Sequence, residues 1–376
     1  MTAKIRRYFA ENQPATPCLV VDLEVVEQNF VDLQRALPLA KIYYAMKANP
    51  APEILKLLVD LGSHFDAASI YEIRDVMKAG ASAERISFGN TVKKQSDIAE
   101  ARRLGVDLFA FDSEGELEKL AAVAPGARVF CRLVMTGEGA DWPLGRKFGC
   151  ELDMARDLMI RARDMGLVPY GVSFHVGSQQ RDLGQWDVAV GKTAMLFTAL
   201  DEVGIKLKML NLGGGFPARY RTDAPDTACH AGTIMDAVVK HFGNAIPSLL
   251  VEPGRSMVGD AGMIESEVIL VSRKGYDDSE RWVYLDIGKF GGLIETMDEA
   301  IQYRITTSRD GGATDRVIIA GPTCDEVDVL YKKAAYELPV DLRPGDRVQF
   351  HSTGAYTSTY CSVGFNGLPP LRTLCI

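Results

Sequence analysis

No stretch of this chain approaches the ~18 consecutive apolar residues of a membrane-spanning helix. Met1 to Arg7 carries charge, but no apolar core of a signal peptide follows it, so neither a secretory leader nor a membrane span is expected. Metal-ligand spacing is missing as well. The seven cysteines (18, 131, 150, 229, 324, 361, 375) are odd in number and scattered, with no CxxC pair and no His-Cys motif, which points to reduced thiols in a cytoplasmic protein and to no metal site. Basic charge is in deficit: 42 Lys and Arg stand against 50 Asp and Glu, a net charge of -8. That balance disfavours nucleic acid or an anionic membrane as a partner and suits a small cationic ligand. There is no low-complexity segment, no internal repeat and no nucleotide-binding GxGxxG pattern, since the cluster Gly213-Gly-Gly215 runs into Phe216-Pro217. What is present is ordinary globular material, 47% apolar and 24% charged, and 376 residues leave room for one large domain and a smaller one.

The chain then alternates. Strand candidates fall at Ile42–Met46, His64–Ala67, Ile86–Phe88, Leu108–Phe111, Arg128–Val134, Pro169–Phe174, Met209–Leu212 and Ser248–Val251. Between them lie amphipathic stretches such as Pro52–Leu61, Ile70–Ala79, Gln95–Leu104, Glu114–Ala122, Asp153–Met165 and Trp186–Val203. Strands alternating with helices over this length predict a (β/α)₈ barrel, with a doubly wound open sheet as the alternative. Past Arg255 the texture changes to short strand-like runs, Met263–Ser272, Arg281–Asp286, Arg316–Ala320 and Asp346–His351, separated by turn signals and by one helical patch near Gly292–Tyr303. The expected organisation is a barrel over 23–255 and an all-β domain from 256–376. A polar start followed by a strand at Pro17–Asp22 adds residues 1–22 to that β domain.

On such a barrel, catalytic residues belong at the C-terminal ends of the strands. Lys47 follows the first strand, Asp66 ends the second, Arg132 lies on the fifth, His175 to Ser178 follow the sixth, Gly213, Gly214 and Gly215 the seventh, and Glu252-Pro-Gly254-Arg255 the eighth. Singly, each has a plain structural account: a solvated strand-end lysine, Asp66 as a helix cap, a satisfied core histidine, a tight glycine turn. Random placement of charge does not gather them at one rim. Bare glycine N–H groups approach an anion such as phosphate, with Gly254 and Arg255 as a second point. A lysine condenses with an aldehyde, and a carboxylate such as Glu252 keeps a pyridine nitrogen protonated. Aldehyde, pyridine and phosphate together specify pyridoxal 5'-phosphate, against which His175 would stack while Ser178 donates to the phosphate.

From Pro14-Ala-Thr-Pro17 to Gly354-Ala-Tyr-Thr357 the chain resembles the pyridoxal-phosphate decarboxylases of the alanine racemase fold, the ornithine/lysine decarboxylases. The motifs that carry the resemblance are Tyr44-Ala-Met-Lys-Ala-Asn49, Phe65-Asp-Ala-Ala-Ser69, Phe174-His-Val-Gly-Ser178, Leu212-Gly-Gly-Gly-Phe-Pro217, Glu252-Pro-Gly-Arg255 and Gly321-Pro-Thr-Cys-Asp325. The resemblance implies that Lys47 is the Schiff-base lysine, His175 the ring-stacking histidine and Glu252 the partner of the pyridine nitrogen. It further implies phosphate contacts from Ser178, Gly213 to Gly215, Arg255 and Tyr356, and bracing of the lysine side by Asp66, Glu72 and Arg132. In the family, Cys324 and Asp325 enter from the second subunit of a head-to-tail homodimer. Cys324 then serves as the acid that returns a proton to Cα.

The substrate reading follows from the far end of the side chain, where a distal ammonium calls for carboxylates. Asp325 is one, the second is Asp298 or Glu295, and Tyr356 completes the contacts implied. Ornithine is expected first and lysine second, with arginine or diaminopimelate as alternatives. A diaminopimelate enzyme usually has glutamate after the cysteine, where this chain has Asp325. A catalytically inactive relative of the antizyme-inhibitor kind is the competing class, against which stand Lys47, Glu252 and Cys324. A single-barrel cofactor carrier would leave residues 256–376 without a purpose.

Overall fold

Strands that are buried on both faces cannot leave an edge in water, and here they leave none. In the computed structural model, which describes residues 3–142 and 145–376, a ring of parallel strands runs through Ala40–Ala45, His64–Ala67, Ile86–Phe88, Leu108–Phe111, Arg128–Arg132, Val168–Ser173, Met209–Asn211 and Ser248–Val251. Leu249 pairs with Ala40 and Val251 with Ile42, which closes the barrel and excludes the open sheet. The barrel belongs to a unit made of Glu27–Pro217 and Pro225–Gly254. Tyr43, Leu108, Ala110, Phe130, Met209 and Leu250, drawn from five of the strands, pack into one interior cluster with Tyr170 against it. Alternation along each strand sends these side chains to the lumen.

Four of the eight barrel strands differ from expectation; the sixth, Val168–Ser173, is shifted by one residue and the seventh stops at Asn211 rather than Leu212, while the first and the fifth bear on the site. The first strand starts two residues early, at Ala40, and stops at Ala45, because Met46–Ala48 coil into a 3₁₀ turn. The fifth ends at Arg132 rather than Val134, since beyond it the chain pairs only through an isolated bridge from Leu133 to Cys150. Asp66 is not the cap of the helix Ile70–Lys78. Ser69 is: its Oγ accepts from Glu72 N at 3.2 Å, while Glu72 Oε2 accepts from Ala68 N at 2.6 Å, a reciprocal cap.

The second unit comprises the chain up to Val26, Ala218–Ala224 and Arg255–Ile376. Its sheet orders Ile305–Thr307, Arg347–His351, Gly262–Ser272, Arg281–Leu285, Thr314–Ala320 and Val329–Pro339. Cys18–Val21 pairs antiparallel with Gly262–Ser272 and parallel with Arg372–Cys375, so the N-terminal strand does join the β sheet. The polar start is a helix, Ala3–Asn12, whose Ile5 and Phe9, four residues apart, pack on Cys18, Val20 and Met263. The patch near 292–303 is not a regular helix: a π turn at Lys289–Leu293 leads into a 3₁₀ turn at Ile294–Glu299, in which Asp298 and Glu299 are left-handed. No helix among the described residues is long and apolar enough to cross a membrane.

One buried cation ties the barrel wall together. Lys93 Nζ donates to Asn90 O at 2.7 Å and Ala110 O at 2.6 Å and pairs with Glu116 at 2.9 Å, with its side chain wholly out of solvent. Burial pulls its pKa down to about 8 even though Glu116 opposes the shift. Removing one partner of a buried pair leaves charge and carbonyls unmatched, so Lys93→Ala is expected to cost roughly 3 kcal/mol in urea unfolding. An unchanged unfolding midpoint would contradict that account.

Candidate active site

In the barrel unit the side chains at the strand ends converge in chemistry and in space. The 3₁₀ turn buries Met46 and Ala48 and leaves the Lys47 side chain 49% exposed, with Nζ 3.8 Å from Asp66 Oδ2. Tyr44 Oη donates to Asn49 O at 2.8 Å and Ala45 N to Pro253 O at 3.0 Å, which pins the turn. Asp66 is buried beside Ser87, whose Oγ donates to Oδ1 at 3.3 Å. Gly89 makes the space for it, because a Cβ there would lie 1.8 Å from Asp66 Oδ1. Arg132 and His175 line a cavity of about 200 Å³ with Phe148, and the Arg132 guanidinium lies 5.2 Å from the Phe148 ring.

Electrostatics assign the protons. Gly177 N donates to His175 Nδ1 at 3.0 Å, which leaves the proton of the neutral ring on Nε2. Burial, helped by the positive charges of Arg132 and Lys47, lowers the His175 pKa to about 3. Glu252 moves the other way: loss of hydration and the nearby Asp66 carboxylate raise its proton affinity, opposed by Lys47, Asn211 and Arg132. A carboxyl group tuned to hold a proton near neutrality suits a pyridine nitrogen. Asn211 Nδ2 donates to Glu252 Oε1, and Asn211 Oδ1 accepts from Gly213 N at 2.9 Å. Sequence reading missed Asn211, although a polar residue ending the apolar strand Met-Leu-Asn was a usable signal.

The glycine run is a cradle that side chains would fill. Gly213 (φ +67°) would put a Cβ 2.1 Å from Phe174 O, Gly215 (φ +102°) one 2.6 Å from Gly177 O, and Gly214 one 2.6 Å from Glu252 O and 3.4 Å from His175 Nε2. The N–H groups of Gly214 and Gly215 have no acceptor among the described residues. Unmatched donors in a cradle of this kind fit an anion. Ser178, at the start of the short strand Ser178–Gln180 that pairs with Ala140–Trp142, is partly buried. Amine, carboxyl group, imidazole and anion cradle match the aldehyde, pyridine and phosphate of one cofactor.

In the second unit Arg255 is buried. Its Nη1 donates to Tyr220 Oη and Glu295 Oε2, both at 2.7 Å, its Nη2 to Glu295 Oε1 at 2.6 Å, and Tyr356 packs its ring 4.8 Å away. Both Glu295 oxygens serve the guanidinium, and its side chain is 3% exposed. Asp298 is different. It is exposed, makes no hydrogen bond or ion pair among the described residues, and lines a cavity of about 740 Å³ together with Thr323, Cys324 and Asp325. Cys324 is exposed, with Sγ 3.3 Å from Asn366 Nδ2. Asp328, also missed from sequence, holds this loop by accepting from Lys289 N at 2.7 Å, Thr323 Oγ1 at 2.7 Å and Thr323 N at 3.2 Å.

Residues 23–259 match the family model described as pyridoxal-dependent decarboxylase, pyridoxal binding domain. The chain belongs to the pyridoxal-dependent decarboxylases. The lysine/ornithine decarboxylase of Selenomonas ruminantium is 36% identical over 354 residues, covering 94% of this chain and 87% of that protein. Antizyme inhibitor 2 of Xenopus laevis is 32% identical over 363 residues, covering 93% and 78%. Among solved structures, the arginine decarboxylase of Paramecium bursaria Chlorella virus superposes with a TM-score of 0.91 at 28% identity, covering all of both chains. This decarboxylase therefore uses pyridoxal 5'-phosphate and belongs with carboxy-lyases of basic amino acids.

A neutral His175 has a consequence for pH. Its folded pKa of about 3 lies below the ordinary 6.5, so its contribution to stability is complete above 6.5 and is lost as pH falls toward 3. In NMR titration the His175 ring should keep its neutral signal from pH 8 down to 5. A midpoint near 6.5 would show that the ring is not desolvated.

Proposed function

We propose that this decarboxylase converts L-ornithine to putrescine and carbon dioxide and takes L-lysine, giving cadaverine, as a second substrate. The observation that carries this reading is the unmatched Asp298 carboxylate in the cavity shared with Asp325 and Cys324. Carboxylates there suit a distal ammonium. The guanidinium of arginine, which favours bidentate pairing, makes arginine the alternative.

Bound pyridoxal phosphate supplies the aldehyde that receives the α-amine and the ring that accepts the electron pair left as carbon dioxide departs. The chain's own groups then have separate duties. Lys47 would hold the aldehyde of the cofactor through its amine, with Asp66 as its charge partner and Arg132 beyond. Glu252, oriented by Asn211, holds the proton at the pyridine nitrogen. Neutral His175 would cover the ring and Gly213 to Gly215, with Ser178 and Gly254, would take the phosphate, to which the resemblance adds Arg255 and Tyr356. Cys324 is the acid that returns the proton to Cα. By resemblance it arrives from a second copy of the chain, so the working unit is a head-to-tail homodimer in the cytoplasm. Seven free cysteines are in keeping with a reducing compartment.

The substrate is tested by incubating the purified protein with the cofactor and ornithine, lysine, arginine or diaminopimelate, then measuring carbon dioxide and the amine. Ornithine should give the highest kcat/KM, lysine the next. Release from none of them would favour an inactive, antizyme-inhibitor-like role. Sharing of sites is tested by mixing Lys47→Ala and Cys324→Ala homodimers. Random exchange makes about half the dimers mixed, each with one intact site of two, so activity should recover to roughly one quarter of wild type. No recovery despite exchange confirmed by mass would mean that each chain completes its own site.

A further inference from the structure

The strand Val329–Pro339 breaks register against Thr314–Ala320: Tyr331 lies opposite Ile319 and Tyr336 opposite Val317, so residues 332–335 swell out of the ladder. Backbone that leaves a ladder needs other partners. One side chain supplies three of them. The Glu299 carboxylate accepts from Lys332 N and Lys333 N, each at 2.7 Å, and from Ala334 N at 2.6 Å. Arg221 covers the opposite polarity by donating to the carbonyls of Ala334 and Ala335, the latter left-handed at φ 48°.

Glu299 and the Asp298 before it are themselves left-handed, at φ 59° and 51°. Two successive non-glycine residues in that region are disfavoured, so the turn persists only where its surroundings hold it. On one side Glu295 is clamped by Arg255. On the other, charge-assisted hydrogen bonds to successive N–H groups clamp Glu299. Asp298, the one unmatched carboxylate of the three, stands between the two anchors.

We propose that Glu299 is a positioning residue for substrate: anchored in the 332–334 bulge, it holds the left-handed turn that sets Asp298 in the cavity with Cys324 and Asp325, and so governs affinity for the distal ammonium. The inference rests on Asp298 being the ammonium contact. It is tested on the holoenzyme with ornithine and lysine, comparing wild type, Asp298→Ala, Glu299→Ala and the double variant. Glu299→Ala should raise KM about tenfold, the scale of a lost charge-assisted hydrogen bond, with kcat changed less than about twofold. The double variant should match Asp298→Ala, because a residue acting only through Asp298 adds nothing once Asp298 is gone. Glu299→Gln, which keeps one carbonyl acceptor, should fall between and replaces the alanine variant should that fail to fold. Independently of turnover, amide hydrogen exchange at 332–334 should accelerate about tenfold in Glu299→Ala. Unchanged exchange, a wild-type KM in Glu299→Ala, or effects that multiply in the double variant would overturn the inference. In those cases a raised KM in Asp298→Ala leaves the ammonium reading standing, whereas a wild-type KM in Asp298→Ala removes both.

Discussion

Closure of the parallel ring is the constraint from which the cofactor half of the site follows. Leu249 to Val251 pair with Ala40 to Ile42, and this join between the last strand and the first places the segment after Val251 beside the segment after Ala45. Ala45 N then donates to Pro253 O, so Lys47 and Glu252, far apart in sequence, hang from neighbouring strand ends. Parallel strands all finish on the same rim, which is why the functional side chains gather there and the apolar cluster around Phe130 lies within.

Burial sets the proton inventory of that rim. His175 loses its affinity for a proton and Glu252 gains it for the same reason, since each charged form has lost water. Lys47 and Arg132 push both groups toward the deprotonated form, and Asp66 pushes Glu252 back. A neutral imidazole and a proton-holding carboxyl group thus sit side by side with no metal invoked. Asn211 joins the two parts chemically, since one amide orients Glu252 and accepts from the first glycine of the cradle.

In the second unit the acidic side chains divide into those spent on structure and those that line the cavity without a protein partner among the described residues. Glu295 neutralises Arg255, Glu299 satisfies a bulge, and Asp328 gathers the N–H groups of Lys289 and Thr323. Asp298 is left with none of these duties. Counting carboxylates in a segment therefore misleads, because the hydrogen-bond partners decide which of them can meet a substrate.

The sequence by itself determined the eight barrel strands and five of the eight strands of the β sheet, the N-terminal one included, because short apolar runs between turn signals leave little choice of period; Ile305–Thr307, Val329–Pro339 and Arg372–Cys375 escaped it. It also determined the rim residues, since the ends of parallel strands are set once the strands are. Tertiary structure alone decided what depends on partners distant in sequence. Met46–Ala48 coils into a turn that no local apolar pattern announces, Asn211 gains its role only when Glu252 arrives at the end of the neighbouring eighth strand, and the short helix at Ala3–Asn12 exists because Ile5 and Phe9 find Met263. The difference between Glu295 and Asp298 is of the same kind: both are carboxylates in one turn, and only the guanidinium of Arg255, brought in by the fold, takes Glu295 away from solvent and leaves Asp298 exposed.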